Sequence, residues 1–276
     1  MTLSLNERAL DLLIVASPND LVARSVERLC TRAGYSVQLT DLETVSRLFS
    51  ISVKDGVATT QPDIPLFLRI PPLKEKRDSF DQEFLHGECF VTLLAAASLC
   101  KSAVVNRPFR ASLGGRVAQS TSITALRVPI SDVRSEVFSD TIPAPPEHQS
   151  SEAWCVQDLG TFETAEWPAK PHGTGPYRAK LSSRETGYEM VTVLGKETWR
   201  ATTVDLDHLE LQNRSADLVA KLQLTFAVVT WAITPTLSDA TLVRVDAYPS
   251  LSQVAPVWSD LGPSLLRVLF TKNGFR

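Results

Sequence analysis

The stretch from 222 to 251, LQLTFAVVTWAITPTLSDATLVRVDAYPSL, constrains this chain more than any other. Phe226 to Ile233 is an apolar run rich in Val and Ala, and Thr241 to Ala247 is a second run of similar kind. Runs of this length and composition fit strands inside a covered sheet. A polar turn, Pro235 to Ala240, joins them, and the second run closes on Asp246-Ala247-Tyr248-Pro249. Two covered strands make a rigid frame, so a site carried on a rigid element is expected at that end.

The chain before this hairpin alternates strand and helix. Residues 10–16, LDLLIVA, predict a buried strand, and Ser17-Pro18-Asn19-Asp20 supplies a turn and a helix N-cap. Apolar positions at Leu21, Val22, Val26 and Leu29 predict a helix over 20–33 that Gly34 ends. Tyr35 to Leu39 is a second strand, which implies a parallel β-α-β unit with a right-handed crossover. A hairpin turning at Asp55-Gly56 is expected over 49–60. Leu66 to Ile70 reads as a strand, 79–100 as a helix with a Ser79/Gln82 capping box, and Ala103 to Val105 as a strand.

Past residue 108 the pattern changes. A helix interrupted by Gly114-Gly115 is expected over 109–127, and the proline- and serine-rich 139–152 reads as a loop or linker. Residues 153–181 look irregular, with short strands at best. A hairpin about Gly195-Lys196, a helix over 212–223, the 222–251 hairpin and a last helix near 261–270 complete the chain. The fold class is α/β, becoming α+β in the C-terminal part. The expected domains are an α/β unit with a parallel sheet over 1–108 and a second unit over 109–276.

Bulk properties remove several function classes. The 276 residues suit two domains or one large one, and 43% hydrophobic with 21% charged residues is ordinary for a globular protein. A net charge of −3 without a run of like charges argues against nucleic acid as a partner. Cys30, Cys89, Cys100 and Cys155 form no C-x-x-C pair and match no zinc spacing, so they are expected as buried thiols in a reducing compartment. The N-terminus lacks a basic region ahead of its apolar run, and Glu7, Arg8 and Asp11 interrupt it, so no signal peptide is expected. No apolar run approaches the ~20 residues of a membrane span. The expected location is the cytoplasm, with no membrane partner.

Six short strings occur in a fixed order. They are LIVASPND at 13–20, LFLR at 66–69, Asn106-Arg107-Pro108 after a helix bearing Glu83 and Glu88, Arg116 and Gln119 ahead of Val128-Pro129, YEMVTVLG at 188–195, and the closing hairpin to Pro249. In this order they resemble the ATP-grasp enzymes, and more narrowly the ATP-grasp ligases and maturases that modify ribosomal peptides. The resemblance implies a pre-ATP-grasp-like parallel sheet followed by an ATP-grasp-like domain with a reduced lid. It implies chemistry in which ATP turns a carboxylate into an acyl phosphate and an amine attacks it. Magnesium held by carboxylates and an Asn at the end of the final hairpin neutralises the phosphates.

The resemblance also assigns candidates. Arg116 stands at the first ATP-binding lysine, Lys170 is a candidate for the second, and Lys180 could line the same groove. Asp246 stands at the metal-binding Glu, while Thr230 and Tyr248 stand at a metal-binding Asp and Asn, and Met190 at an arginine. Arg69 and Arg107 are expected to contact substrate, since strand C-termini face the cleft of an α/β sheet. Each has a plainer alternative: Asp246 capping its own turn, Arg116 a surface arginine, Lys170 a solvated loop residue. His86 and Glu88, two apart on a helix, do not face each other, so no metal cluster is expected there. No G-x-S-x-G string is present. Trp231, next to Thr230, is the tryptophan to watch.

Two functions stand ahead of a third, an unrelated α/β enzyme whose site these motifs do not show. One is an ATP- and magnesium-dependent carboxylate–amine ligase acting on a peptide or small-molecule carboxylate in biosynthesis. The other is a degenerate, non-catalytic homologue, a pseudoenzyme that binds a peptide or a partner protein. A homodimer is compatible with either.

Overall fold

The computed structural model describes residues 10–69, 80–108, 136–142, 153–159, 161, 163–182, 187–202, 205–233 and 240–271. The helix expected over 109–127, Arg116, the Ser79 cap and most of the Pro235–Ala240 turn lie outside these residues.

The N-terminal part is a parallel sheet between two layers of helix. Strand β1 (Leu12–Ala16) pairs in parallel with β2 (Val37–Thr40) and β5 (Leu66–Arg69), and β5 pairs in parallel with β6 (Val104–Val105). Every residue of β1 is buried, so its side chains feed both faces. Leu12 and Ile14 pack with Val22, Ala23 and Val26 of α1 (Leu21–Arg32). Leu13 and Val15 pack on the other side with α2 (Leu42–Ser46) and α3 (Phe80–Leu99). Asp20 caps α1, its Oδ1 accepting from Ala23 N at 2.9 Å, and Gly34 (φ +90°) turns the chain out of the helix. The hairpin of β3 (Ser50–Lys54) and β4 (Val57–Gln61) turns at Asp55 and Gly56, both at positive φ, as the sequence predicts.

Residues 153–181, where short strands at best were expected, hold three short strands that pair into one sheet. Strands β7 (Glu136–Ser139), β8 (Ala153–Asp158), β9 (Thr164–Glu166) and β10 (Tyr177–Ser182) form an antiparallel sheet in the order β7-β10-β8-β9. Trp154, Val156, Tyr177 and Ala179 alternate onto one small core. The strands are short and separated by Pro168, Gly173 and Gly175, which hid the period-2 signal. Buried Asp158 fastens their connections: Oδ1 accepts from Thr161 N and Oδ2 from Gly175 N, each at 2.7 Å.

The third sheet holds the opening stretch. Strands β11 (Gly187–Leu194), β12 (Glu197–Arg200), β13 (Phe226–Ile233) and β14 (Ala240–Asp246) are antiparallel in the order β12-β11-β13-β14. One face packs on α4 (Leu211–Lys221) through Val191, Val229, Trp231, Leu242, Leu218 and Leu222. Phe226 and Val228 on the other face join Ile14 and Phe67 of the N-terminal sheet in a single core. The chain closes with α5 (Leu251–Val254) and α6 (Trp258–Phe270). Helix α6 starts three residues before the expected 261, because a 3-10 turn over Ala255–Val257 leads straight into it. Phe270 stacks on Tyr35 with ring centroids 3.6 Å apart, tying α6 to the loop after α1.

The four cysteines are free; three are buried and Cys155 is half-buried. Burial pushes the Cys30 thiol up to about 11. Among the described residues no helix is long and apolar enough to cross a membrane.

Candidate functional site

The carboxyl ends of β1, β5 and β6 meet the end of β14. Ala16 and Arg69 are register partners in the parallel pair, so the Asp20 loop and Arg69 emerge side by side. Arg69 is 7% exposed, donates from Nε to Asp20 Oδ2 at 2.7 Å and from NH2 to Pro249 O at 2.9 Å. Its guanidinium lies 5.9 Å from the centre of the Tyr248 ring, and its NH1 is buried without a hydrogen-bond partner. Asn106, just after β6, reaches the same junction through Phe226 and Ala247. Burial pushes the Tyr248 phenol up to about 12 against the pull of Arg69, so it stays neutral.

The floor beside this junction is the face of the third sheet opposite α4. Thr230 lies between Val229 and Trp231, which both face α4, so alternation turns Thr230 to the other side. Its cross-strand partners are Met190 and Arg244. The register of β13 and β14 shifts between Thr230 and Trp231, where Val243 is extra, and this bulge turns Arg244 and Asp246 to the face that carries Thr230. Arg244 Nε sits 2.9 Å from Asp246 Oδ2, and Gln253 Nε2 donates to the same oxygen at 2.6 Å. Thr230 Oγ1 is buried and has no partner.

On the opposite face, Glu189 is buried and pairs with Arg200 Nε at 3.2 Å. Desolvation raises its carboxyl above the usual range although Arg200 pulls it down. Trp231 is a core residue: Nε1 donates to Ser215 Oγ at 2.8 Å and Arg214 covers its ring.

The sequence candidates are spread unevenly about this geometry. Arg69 and Asp246 come together at the junction. Arg107 does not face it: NH1 donates to the carbonyls of Ala97, Ser98 and Cys100, and NH2 to that of Ser102, so it caps the end of α3. Lys170 is exposed in the second sheet's connections, its Nζ 5.8 Å from the Tyr177 ring centre. Lys180 lies in β10 opposite Cys155 and Glu136. Sequence reasoning passed over Arg244 and Gln253. The R-x-D spacing of 244 and 246, two residues apart on a strand and so on one face, was the available signal for the first.

No family model matches the chain, and no curated protein sequence does. Solved structures do. The macrocyclase MdnC from Microcystis aeruginosa MRC, bound with precursor peptide MdnA, superposes with a TM-score of 0.68 at 11% identity, over 94% of this chain and 99% of that one. The ATP-grasp ligase PsnB, complexed with minimal precursor, Mg and ADP, gives 0.68 at 16% identity over 95% and 98%. A Chryseobacterium gregarium RiPP-associated ATP-grasp ligase, in complex with ADP and a leader and core peptide, gives 0.64 at 12% over 96% and 98%. This chain has the ATP-grasp fold. The expected fold class, α/β with an N-terminal parallel sheet and α+β in the C-terminal part, is what the structure contains.

An ATP-grasp fold implies magnesium at the end of the final hairpin, and the residues here do not fit it. Magnesium asks for near-octahedral oxygen ligation. The three positions that the resemblance assigns to metal ligands offer one hydroxyl, one neutral phenol and one carboxylate whose Oδ2 already holds Arg244 and Gln253. A guanidinium at 2.9 Å from the remaining carboxylate repels a dication. Among the described residues no group of three or more His, Cys, Asp or Glu could hold a metal.

Proposed function

We propose that this chain is a peptide-binding protein of the ATP-grasp fold, working in a ribosomal-peptide maturation system without metal-dependent ligation of its own. The observation that carries this reading is the ion pair between Arg244 and Asp246, with Thr230 and Tyr248 at the other two positions where the resemblance puts metal ligands. The peptide side rests on the neighbours, which were solved with precursor, leader or core peptides. An active partner enzyme would then supply the ligation step, and this chain the peptide contact.

The test uses precursor peptides of the kind that the solved neighbours hold, such as MdnA and PsnA2. Fluorescence anisotropy should show saturable peptide binding, and a coupled assay with ATP and magnesium should show no peptide-dependent ADP release. Peptide-dependent ADP release would replace this reading with the second one, an ATP-dependent carboxylate–amine ligase. That reading is favoured by neighbours that hold ADP, and in one case magnesium. In it, Arg116, Lys170 and Lys180 are the phosphate contacts and Arg69 the substrate contact.

A further inference from the structure

We propose that Arg244 takes the place of a divalent cation, and that the end of the β13–β14 hairpin accepts a nucleoside polyphosphate as a metal-free anion. The inference does not depend on peptide binding.

Two independent sets of observations point this way. The first is the charge at the metal position. Arg244 is half exposed and its Nε forms an ion pair with Asp246 Oδ2 at 2.9 Å. Half of its side-chain surface is open, which leaves a guanidinium whose fork matches a phosphate accessible to an anion. Asp246 and Gln253 fix the arginine from below: the carboxylate neutralises part of its charge, and the Gln253 bond at 2.6 Å holds the carboxylate itself.

The second is the kind of polar atom left without a partner. A metal site in need of its ion shows unsatisfied lone pairs. Here the buried unpaired atoms nearby are the Arg69 NH1 group, which can only donate, and the Thr230 hydroxyl, which can donate or accept. Thr230 is the cross-strand partner of Arg244, and Arg69 is held against Tyr248 and Pro249, just past Asp246. Buried donors are costly when unpaired and are found paired in the great majority of structures. Donors around a guanidinium select an anion. Nucleoside polyphosphate is the anion class that two of the solved neighbours hold as ADP.

The experiment is calorimetric titration of the full chain with ADP and with ATP, in excess EDTA and again in millimolar magnesium. Binding should be present in EDTA, and magnesium should leave the affinity within a few-fold or weaken it, since metal-bound nucleotide brings less negative charge. Arg244→Gln should lower the EDTA affinity by about tenfold or more, the loss of a charge-assisted contact, while Arg244→Lys should retain part of it. Manganese followed by electron paramagnetic resonance should show no site on the native chain. An affinity that rises tenfold or more with magnesium overturns the proposal, as does a manganese site. Absence of nucleotide binding in both buffers also overturns it, and leaves the peptide reading standing. If Arg244→Gln fails to fold, the comparison of the two buffers on the native chain decides alone.

Discussion

Asn106 and Phe226 exchange two hydrogen bonds: Nδ2 donates to the Phe226 carbonyl and Oδ1 accepts from the Phe226 amide, each at 2.7 Å. The side-chain amide thus behaves as one residue of a neighbouring strand. It also donates to Ala247 O at 3.1 Å and accepts from Thr225 N at 2.9 Å, so it joins the end of β6 to β13 and to the turn after β14. Removing it leaves buried backbone groups without water or partner. Asn106→Ala should cost about 2–4 kcal/mol, since several buried groups lose a bond together. Asn106→Asp should cost a similar amount, because the donor facing two carbonyls becomes an acceptor. Urea unfolding measures both; losses under about 0.5 kcal/mol, as for surface substitutions, would show that Asn106 is not the joint.

Asp20 serves two masters with its two oxygens. Oδ1 caps α1 and Oδ2 takes Arg69, whose other bond reaches Pro249. The two roles separate by substitution. Asp20→Asn keeps a capping oxygen and loses the charge, so it should cost about 1–2 kcal/mol. Asp20→Ala loses the cap as well, which adds about 1 kcal/mol. Equal losses for the two variants would mean that the ion pair with Arg69 contributes everything.

How much of this could be read from residues alone depends on the length of each signal. Strands β13 and β14 were legible because their apolar runs are long and one closes on Asp246-Ala247-Tyr248-Pro249. Strand β1 and helix α1 were legible because Asp20 and Gly34 mark the helix ends. The second sheet was not: its strands are short, and Asp158, which fastens their connections, works through the distant Gly175 amide. The resemblance assigned Thr230, Asp246 and Tyr248 to metal positions from their order along the hairpin. Which face of the sheet carries Arg244 and Asp246 depends on the bulge at Val243, and the part of Gln253 on how α5 folds back. Neither is local in sequence.

Gly173 tests the second sheet. A Cβ there would lie 2.1 Å from Asp158 Oδ2, and its φ of +141° is one that L side chains rarely adopt. The clash is with a buried carboxylate that two connections share, so it has no free end to swing away. Gly173→Ala should loosen β8 to β10 while leaving the N-terminal sheet intact. Hydrogen exchange should show faster exchange at residues 153–158 and 177–182 and unchanged protection in β1 and β5. Unchanged exchange in both would mean that Asp158 can move without cost.

The pH dependence of stability should carry a contribution from Asp63. Burial pushes its carboxyl up, but hydrogen bonds from the Cys100 thiol and from Ser102 and Lys101 outweigh burial and hold it below the usual carboxylate range. Its Oδ1 accepts from Cys100 Sγ, Lys101 N and Ser102 N at 2.9–3.0 Å, closing the end of α3. The thiol stays protonated throughout, since burial and Asp63 itself raise it to about 12. A depressed pKa means that the folded chain binds the proton less readily than the unfolded one. The stabilisation is therefore complete above the unfolded value of about 4 and is lost as pH falls through the folded value. Asp63→Asn should be less stable than the native chain at neutral pH, by about 1 kcal/mol for an exposed set of bonds to a charged acceptor. The gap should close as pH drops below about 4, because the native carboxyl is then also neutral. Urea midpoints of the two proteins between neutral and acid pH give the gap directly. A gap that stays constant into acid would show that the α3 end is held by shape and not by the ionised carboxylate.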